Sequence, residues 1–330
     1  MNGSIVTCGI VLTVVGACQA QVKLSGDTMV TFTPAEEGRK ILTTRDDFIR
    51  ALSPFDRAAR VKTEKDVSEK EFLEFVGRNV LDWTEAEKAS LVSALDRLRA
   101  PLDRLALPWP KAIYAVKTTG KEEGGAAYTR DHALILPQNV LTPNRPLDPR
   151  LIAHELFHIL SRSNPRLRDR LYQTIGFVKC ADIEFPETLK SRKITNPDAP
   201  ANDHCIRVQV GGTDVWAIPI LFSRTDKYDV TRGGEFFRYM QFQLLLVDRQ
   251  GDSPSVAPLY EGSQPRLVEA DQVTGFFEQI GKNTEYIIHP EEILADNFAS
   301  LVMEDRNLPS PEILKKLQEA LTARPAEEKK

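Results

Sequence analysis

The chain has 330 residues, with 43 Lys and Arg against 47 Asp and Glu, a formal net charge of −4 at pH 7. That length allows a large core, in one elaborate domain or two ordinary ones. The near balance of charge leaves no electrostatic footprint for nucleic acid. Beyond the first twenty residues, no apolar run approaches membrane-spanning length.

Residues 1–20 stand apart. Ile5 to Ala17 is apolar and uncharged, and Cys18-Gln19-Ala20 supplies a cleavage site, so a secretory signal is expected, although Met1-Asn2-Gly3-Ser4 carries no Lys or Arg. Val15-Gly16-Ala17-Cys18 also fits a bacterial lipoprotein site, which would make Cys18 a lipid anchor. Simple export, periplasmic or extracellular, is the first expectation. Without the leader only Cys180 and Cys205 remain, and an even count in an oxidising compartment suggests one disulfide between them.

Residues 21–110 read as a mainly helical region. An extended lead-in covers 27–44, and a short helical segment follows from Thr44 through Ala59. Ser68 with Glu71, and Thr84 with Glu87, make two capping boxes. The second opens a helix with Leu91, Leu95, Leu98, Leu102 and Leu105 at core spacing, closed by Pro108 and Pro110. Residues 111–163 hold strands at 112–116, 126–130 and 132–136, then a helix begun by Asp148 as N-cap and Pro149 at the first position. If 126–130 is an edge strand, it offers a place for strand addition by a peptide.

Residues 164–283 read as a separate insert: a helix at 166–177, a long polar surface loop at 186–203, a hairpin of 206–210 with 215–222 turning at Gly211-Gly212, and a strand within 236–247. Residues 284–330 contain a helix begun by Pro290, a capped helix from Ser310-Pro311 to Leu321, and a charged, disordered end at 325–330.

The motif that carries chemistry is His154-Glu155-Leu156-Phe157-His158. Four residues apart on a helix, His154 and His158 project from one face, one above the other. Two neutral imidazoles so placed can hold zinc, and Glu155 can act as general base on a water held by the metal. Leu151, Ile152, Leu156, Phe157, Ile159 and Leu160 surround them with apolar side chains, where unpartnered polar heads are costly. Downstream, His289-Pro290-Glu291-Glu292-Ile293-Leu294-Ala295-Asp296 places Glu292 and Asp296 on one helical face, with Glu291 as the register alternative.

Together these two motifs resemble the gluzincin metallopeptidases, whose second helix carries a Glu ligand and, four residues on, an Asp. The resemblance covers about 25 residues in two short motifs. It implies an α+β, zincin-like fold: a small mixed sheet packed on the HExxH helix and on a second ligand-bearing helix, with a β-containing insert. It also implies Glu292 as the third ligand of a Zn2+ ion and Asp296 as the partner that orients His154. For the oxyanion donor that amide hydrolysis needs, Tyr286 and His289 are nearest in sequence, while Tyr260 and His204 stay open.

Two other third ligands are conceivable. Asp214 loosely resembles the aspzincin Gly-Thr-x-Asp motif, one residue early, and His204 adjoins Cys205. The residues after His158 lack the Gly and His of metzincins. The expectation is an exported zinc peptidase acting on a peptide or protein substrate. A zinc-bearing envelope binding or scaffold protein without catalysis is the alternative. Residues 21–110 are expected to be a fixed part of the fold rather than an inhibitory pro-segment.

Overall fold

Alternation of apolar residues builds the first sheet. Ile113, Ala115, Leu134 and Leu136 face one core, while Val116, Ala133 and Ile135 face another, which is the period of two that buries both faces of a strand. In the computed structural model, which describes residues 20–142, 145–251 and 253–323, this sheet runs Gln21–Lys23, Met29–Phe32, Ala112–Thr118, Ala133–Pro137 and Tyr128–Arg130. Ala112–Thr118 pairs in parallel with both Met29–Phe32 and Ala133–Pro137. Tyr128–Arg130 lies antiparallel at the edge. The leader with its possible Cys18 anchor, and the charged end at 325–330, lie outside the described residues.

Residues 21–110 hold five helices and three strands, Gln21–Lys23, Met29–Phe32 and Val80–Leu81, and all three strands belong to this sheet. The stretch 27–44 is not extended throughout, since Ala35–Leu42 is a helix. Gly38 lies inside that helix at a close approach, where a Cβ would meet Val116 at 2.9 Å and Val80 at 3.0 Å. Its absence lets helix and sheet close up. The Glu85–Leu105 helix forms as expected and buries Leu91, Leu95, Leu98 and Leu102.

A second, antiparallel sheet runs Val256–Pro258, Met240–Arg249, Thr213–Ser223, His204–Val210 and Phe177–Lys179. Its hairpin turns at Gly211 and Gly212, both at positive φ. This region is not a separate body. Phe177, Ile206, Val208, Ala217, Leu244 and Leu246 share one core cluster with Leu156 and Phe157 of the Pro149–Ser163 helix and with Leu294 and Phe298 of the Pro290–Val302 helix. The protein is thus α+β. Among the described residues no helix is long and apolar enough to cross a membrane.

The polar stretch 186–203 is not a surface loop. Glu187–Lys190 is a short helix, and Ile194 and Thr195 beyond it are buried. A buried ion cluster holds them. Arg60 grips Glu123 through Nε (2.8 Å) and Nη2 (2.7 Å), bonds Asp56 through Nη1 (2.5 Å), and donates to the Thr195 carbonyl (3.0 Å). Asp56 in turn accepts from the Thr195 hydroxyl (2.8 Å). Removing one member of a buried cluster strands the others. Arg60→Met is therefore expected to cost about 3–5 kcal/mol in urea unfolding. A loss below about 1 kcal/mol would mean that Asp56 and Glu123 find water instead.

Candidate metal centre

Asp148 caps the Pro149–Ser163 helix by accepting from Arg150 N–H, with Pro149 at the first position. This helix carries His154, Glu155 and His158. The Pro290–Val302 helix packs against it, with Pro290 at its first position and His289 as N-cap, its Nδ1 accepting the Glu291 N–H at 3.1 Å. Burial pushes the His289 imidazole down to about 4. His289 is thus a neutral imidazole whose Nδ1 is committed to capping the helix.

Between the two helices, ligand atoms of His154, His158 and Glu292 lie within 4.8 Å of one another. His154 Nε2 is 3.1 Å and His158 Nε2 3.5 Å from the same Glu292 oxygen, Oε2. Each ring is held at its other nitrogen by an acid: His154 Nδ1 by Asp296 (2.8 Å) and His158 Nδ1 by Glu291 (3.0 Å). A proton on Nδ1 satisfies both acids and leaves each Nε2 lone pair for a cation. Glu291, weighed only as a register alternative for the ligand, is instead the orienting partner of His158, and also accepts from Ser161 and Tyr172. Thr284 donates to the second Asp296 oxygen, and Asn196 Nδ2 to Glu292 Oε1 at 2.5 Å.

Among the described residues, two buried atoms here find no hydrogen-bond partner, His158 Nε2 and Glu155 Oε2. Orphaned polar atoms at the centre of a core are costly. A divalent cation between His154, His158 and Glu292 answers the first, and a water beside it answers the second. The residues present therefore fit a zinc ion. Burial, and then the charge of Asp198, pushes the Glu155 carboxyl up to about 8. Glu292 is held well below the usual carboxylate range, because His158 and His154 outweigh its burial.

Tyr286 stacks on the His154 ring at 6.3 Å with 25° between planes. Burial of its hydroxyl, then the Glu292, Asp198 and Glu155 charges, push its pKa up, so it stays a proton donor. Sequence reading missed Asn196 and Asp198. Ligand atoms of Asp198, Glu155 and His158 also lie within 4.8 Å of one another. The signal was present as Thr195-Asn196-Pro197-Asp198, but it reads as turn chemistry.

The remaining candidates fall elsewhere. Asp214 lies at the hairpin turn, paired with Arg207 at 2.6 Å. His204 is buried between Asp203 (2.6 Å) and Asp169 (3.2 Å). Tyr260 is exposed on a ribbon with Gln264–Pro265. Cys180 and Cys205 do come together, but as free buried thiols rather than the expected disulfide. Val178 is the residue facing Cys205 across the ladder, which leaves Cys180 on the diagonal. The hydrogen bond between the thiols, with Arg249 Nη1 3.6 Å from Cys205 Sγ, lowers the Cys205 pKa. Comparison with protein-family models, curated proteins and solved structures finds no match to this chain.

In the metal-free protein, burial would lower the His154 pKa, but hydrogen bonds to Asp296 and Glu292 outweigh it and raise it from 6.5 to about 10. A raised histidine pKa contributes stability that is full below 6.5 and fades as pH climbs through about 10. Metal must displace that proton. Zinc titrated calorimetrically at pH 7.5 into metal-free protein should therefore release about one proton per ion or more, seen as a dependence on buffer ionisation enthalpy. No buffer dependence would contradict this state of the site.

Proposed function

We propose that the chain is an exported, zinc-dependent metallohydrolase with a gluzincin-type ligand set, and that it is a peptidase. The observation that carries this is the convergence of His154 Nε2, His158 Nε2 and Glu292 Oε2 beside the buried, unpartnered Glu155 Oε2. Export rests on the leader pattern of residues 1–20.

When bound, zinc supplies Lewis acidity, polarising a carbonyl and bringing the pKa of water toward neutrality. The rest falls to the chain. Glu155 takes a proton from the attacking water and passes it to the leaving nitrogen, so that hydroxyl ends on the carbonyl carbon and hydrogen on the amine. Its raised pKa suits this exchange near neutral pH. Tyr286, kept protonated, donates to the oxygen that gains charge at the carbonyl. Asp296 and Glu291 lock the two imidazoles, and Asn196 fixes the Glu292 carboxylate.

Asp198 supports a second reading, a zinc-bearing binding or scaffold protein without catalysis. Its carboxylate comes near His158, and a fourth protein ligand closes a zinc site. One pair of variants separates the two. Glu155→Gln should keep its zinc and lose about 10²–10⁴-fold in peptide hydrolysis. Asp296→Asn should weaken zinc binding about 10–100-fold. Wild-type activity in Glu155→Gln, or no hydrolysis by the zinc-loaded wild type across a peptide library, would overturn the peptidase reading.

A further inference from the structure

The edge strand Tyr128–Arg130, where strand addition was expected, is stopped at one end. Thr129 donates its N–H (2.7 Å) and its hydroxyl (2.6 Å) to Asp198 Oδ1. The Asp131 carbonyl accepts from Arg162 Nη1 at 3.2 Å. Arg162 also grips the carbonyls of Pro197 (3.1 Å) and Asp198 (3.0 Å), tying this segment to the Pro149–Ser163 helix. An extended chain laid along the edge strand therefore ends at Thr129 and cannot run past it.

Charge decides which end of a peptide stops there. The blocked position presents the Asp198 carboxylate, with the buried and unpartnered Glu155 Oε2 in the same cluster. With the Glu155 carboxyl pushed up to about 8 by its burial, the charge that counts is that of Asp198, which repels a terminal carboxylate and attracts a terminal ammonium. Both Thr129 bonds fall on Asp198 Oδ1, and a carboxylate offers a second oxygen.

A cleft opens beside this stop. Ile194, Leu221, Phe237, Met240 and Ile288 wall it, and Tyr286 joins it to the His154 ring. Phe237 and Tyr286 are both 40% exposed, so apolar surface lies open where a side chain can cover it. Its volume is about 40 Å3, room for about three water-sized spheres. A space of that size suits a short aliphatic group better than an indole.

We propose that this cleft takes the free amino end of a peptide, its ammonium on Asp198 and its first side chain, short and aliphatic, against the apolar wall. The hydrolase is then an aminopeptidase. This rests on the peptidase reading, with Asn196-Pro197-Asp198 as the segment that ends the substrate channel. Cleavage next to the stop removes one or a few residues from the amino end. Long chains with blocked amino ends are excluded.

The test uses the full mature chain carrying Glu155→Gln, so that the probe is not consumed. Val-Gly-Gly and N-acetyl-Val-Gly-Gly are titrated calorimetrically at pH 7.5. The free-amine probe should bind at least about tenfold tighter, as a charge-assisted hydrogen bond requires. Adding Asp198→Asn, which keeps an oxygen acceptor for Thr129, should bring the two affinities to within about twofold. Phe237→Ala should weaken both probes by a common factor. Equal affinity of the two probes for the parent protein overturns the proposal, whether or not the Asp198 variant folds. So does no binding of either probe, or a preference that survives Asp198→Asn. These outcomes are read without turnover, so they are distinguishable from failure of the peptidase reading, which shows in zinc content and in Glu155-dependent hydrolysis.

Discussion

Everything at the candidate site depends on one packing event, the seating of the Pro290–Val302 helix against the Pro149–Ser163 helix. That contact puts two histidines against three acids in the middle of an apolar cluster that includes Leu156, Phe157, Ile293 and Phe298. Along the chain, His158 and Glu291 are 133 residues apart, yet closing a loop of that length costs little more than closing a shorter one. Desolvating so many ionisable groups is the larger cost. Buried ion clusters are on average no better for stability than apolar packing. A cluster of this kind is not explained by stability alone, and its unpartnered nitrogen and carboxylate oxygen are what the proposed zinc site rests on.

A second polar system feeds the first. The Arg60, Asp56 and Glu123 cluster holds Thr195, and one residue later Asn196 reaches Glu292. Arg162, one turn beyond His158, holds the carbonyls of Pro197 and Asp198. The segment is fixed at both ends by charge-assisted bonds, so the rim of the cleft is preorganised. Side chains that must stay within a fraction of an ångström of productive geometry need such support.

Much of the layout was legible in the sequence. The HExxH helix announces its start with Asp148-Pro149, the second helix with His289-Pro290, and the long helix with its Thr84–Glu87 capping box. These are local signals with local causes. Glu292 and Asp296 could be set on one face because spacing on a helix is regular, while the roles given to them came from the gluzincin resemblance; Tyr286 was singled out only because it stands next to that helix. What could not be read arises from long-range pairing. Met29–Phe32 joins the sheet only by lying beside Ala112–Thr118, and the need for glycine at position 38 arises only once Val116 is set against it. Asn196 and Asp198 were hidden for a different reason: Asn-Pro-Asp has turn chemistry wherever it occurs, and only the Arg60 cluster and Arg162 reveal that this one is held in the site. Cys180 and Cys205 pair as neighbours, but diagonally and as thiols.

The most direct test of the account is the metal itself, measured as zinc per chain together with zinc-edge X-ray absorption on the purified protein. One zinc per chain, in a shell of nitrogen and oxygen with an imidazole signature and no sulfur, is the result expected from His154, His158 and Glu292. No zinc after repletion at neutral pH, or a sulfur-containing shell that draws in Cys180 and Cys205, would contradict it.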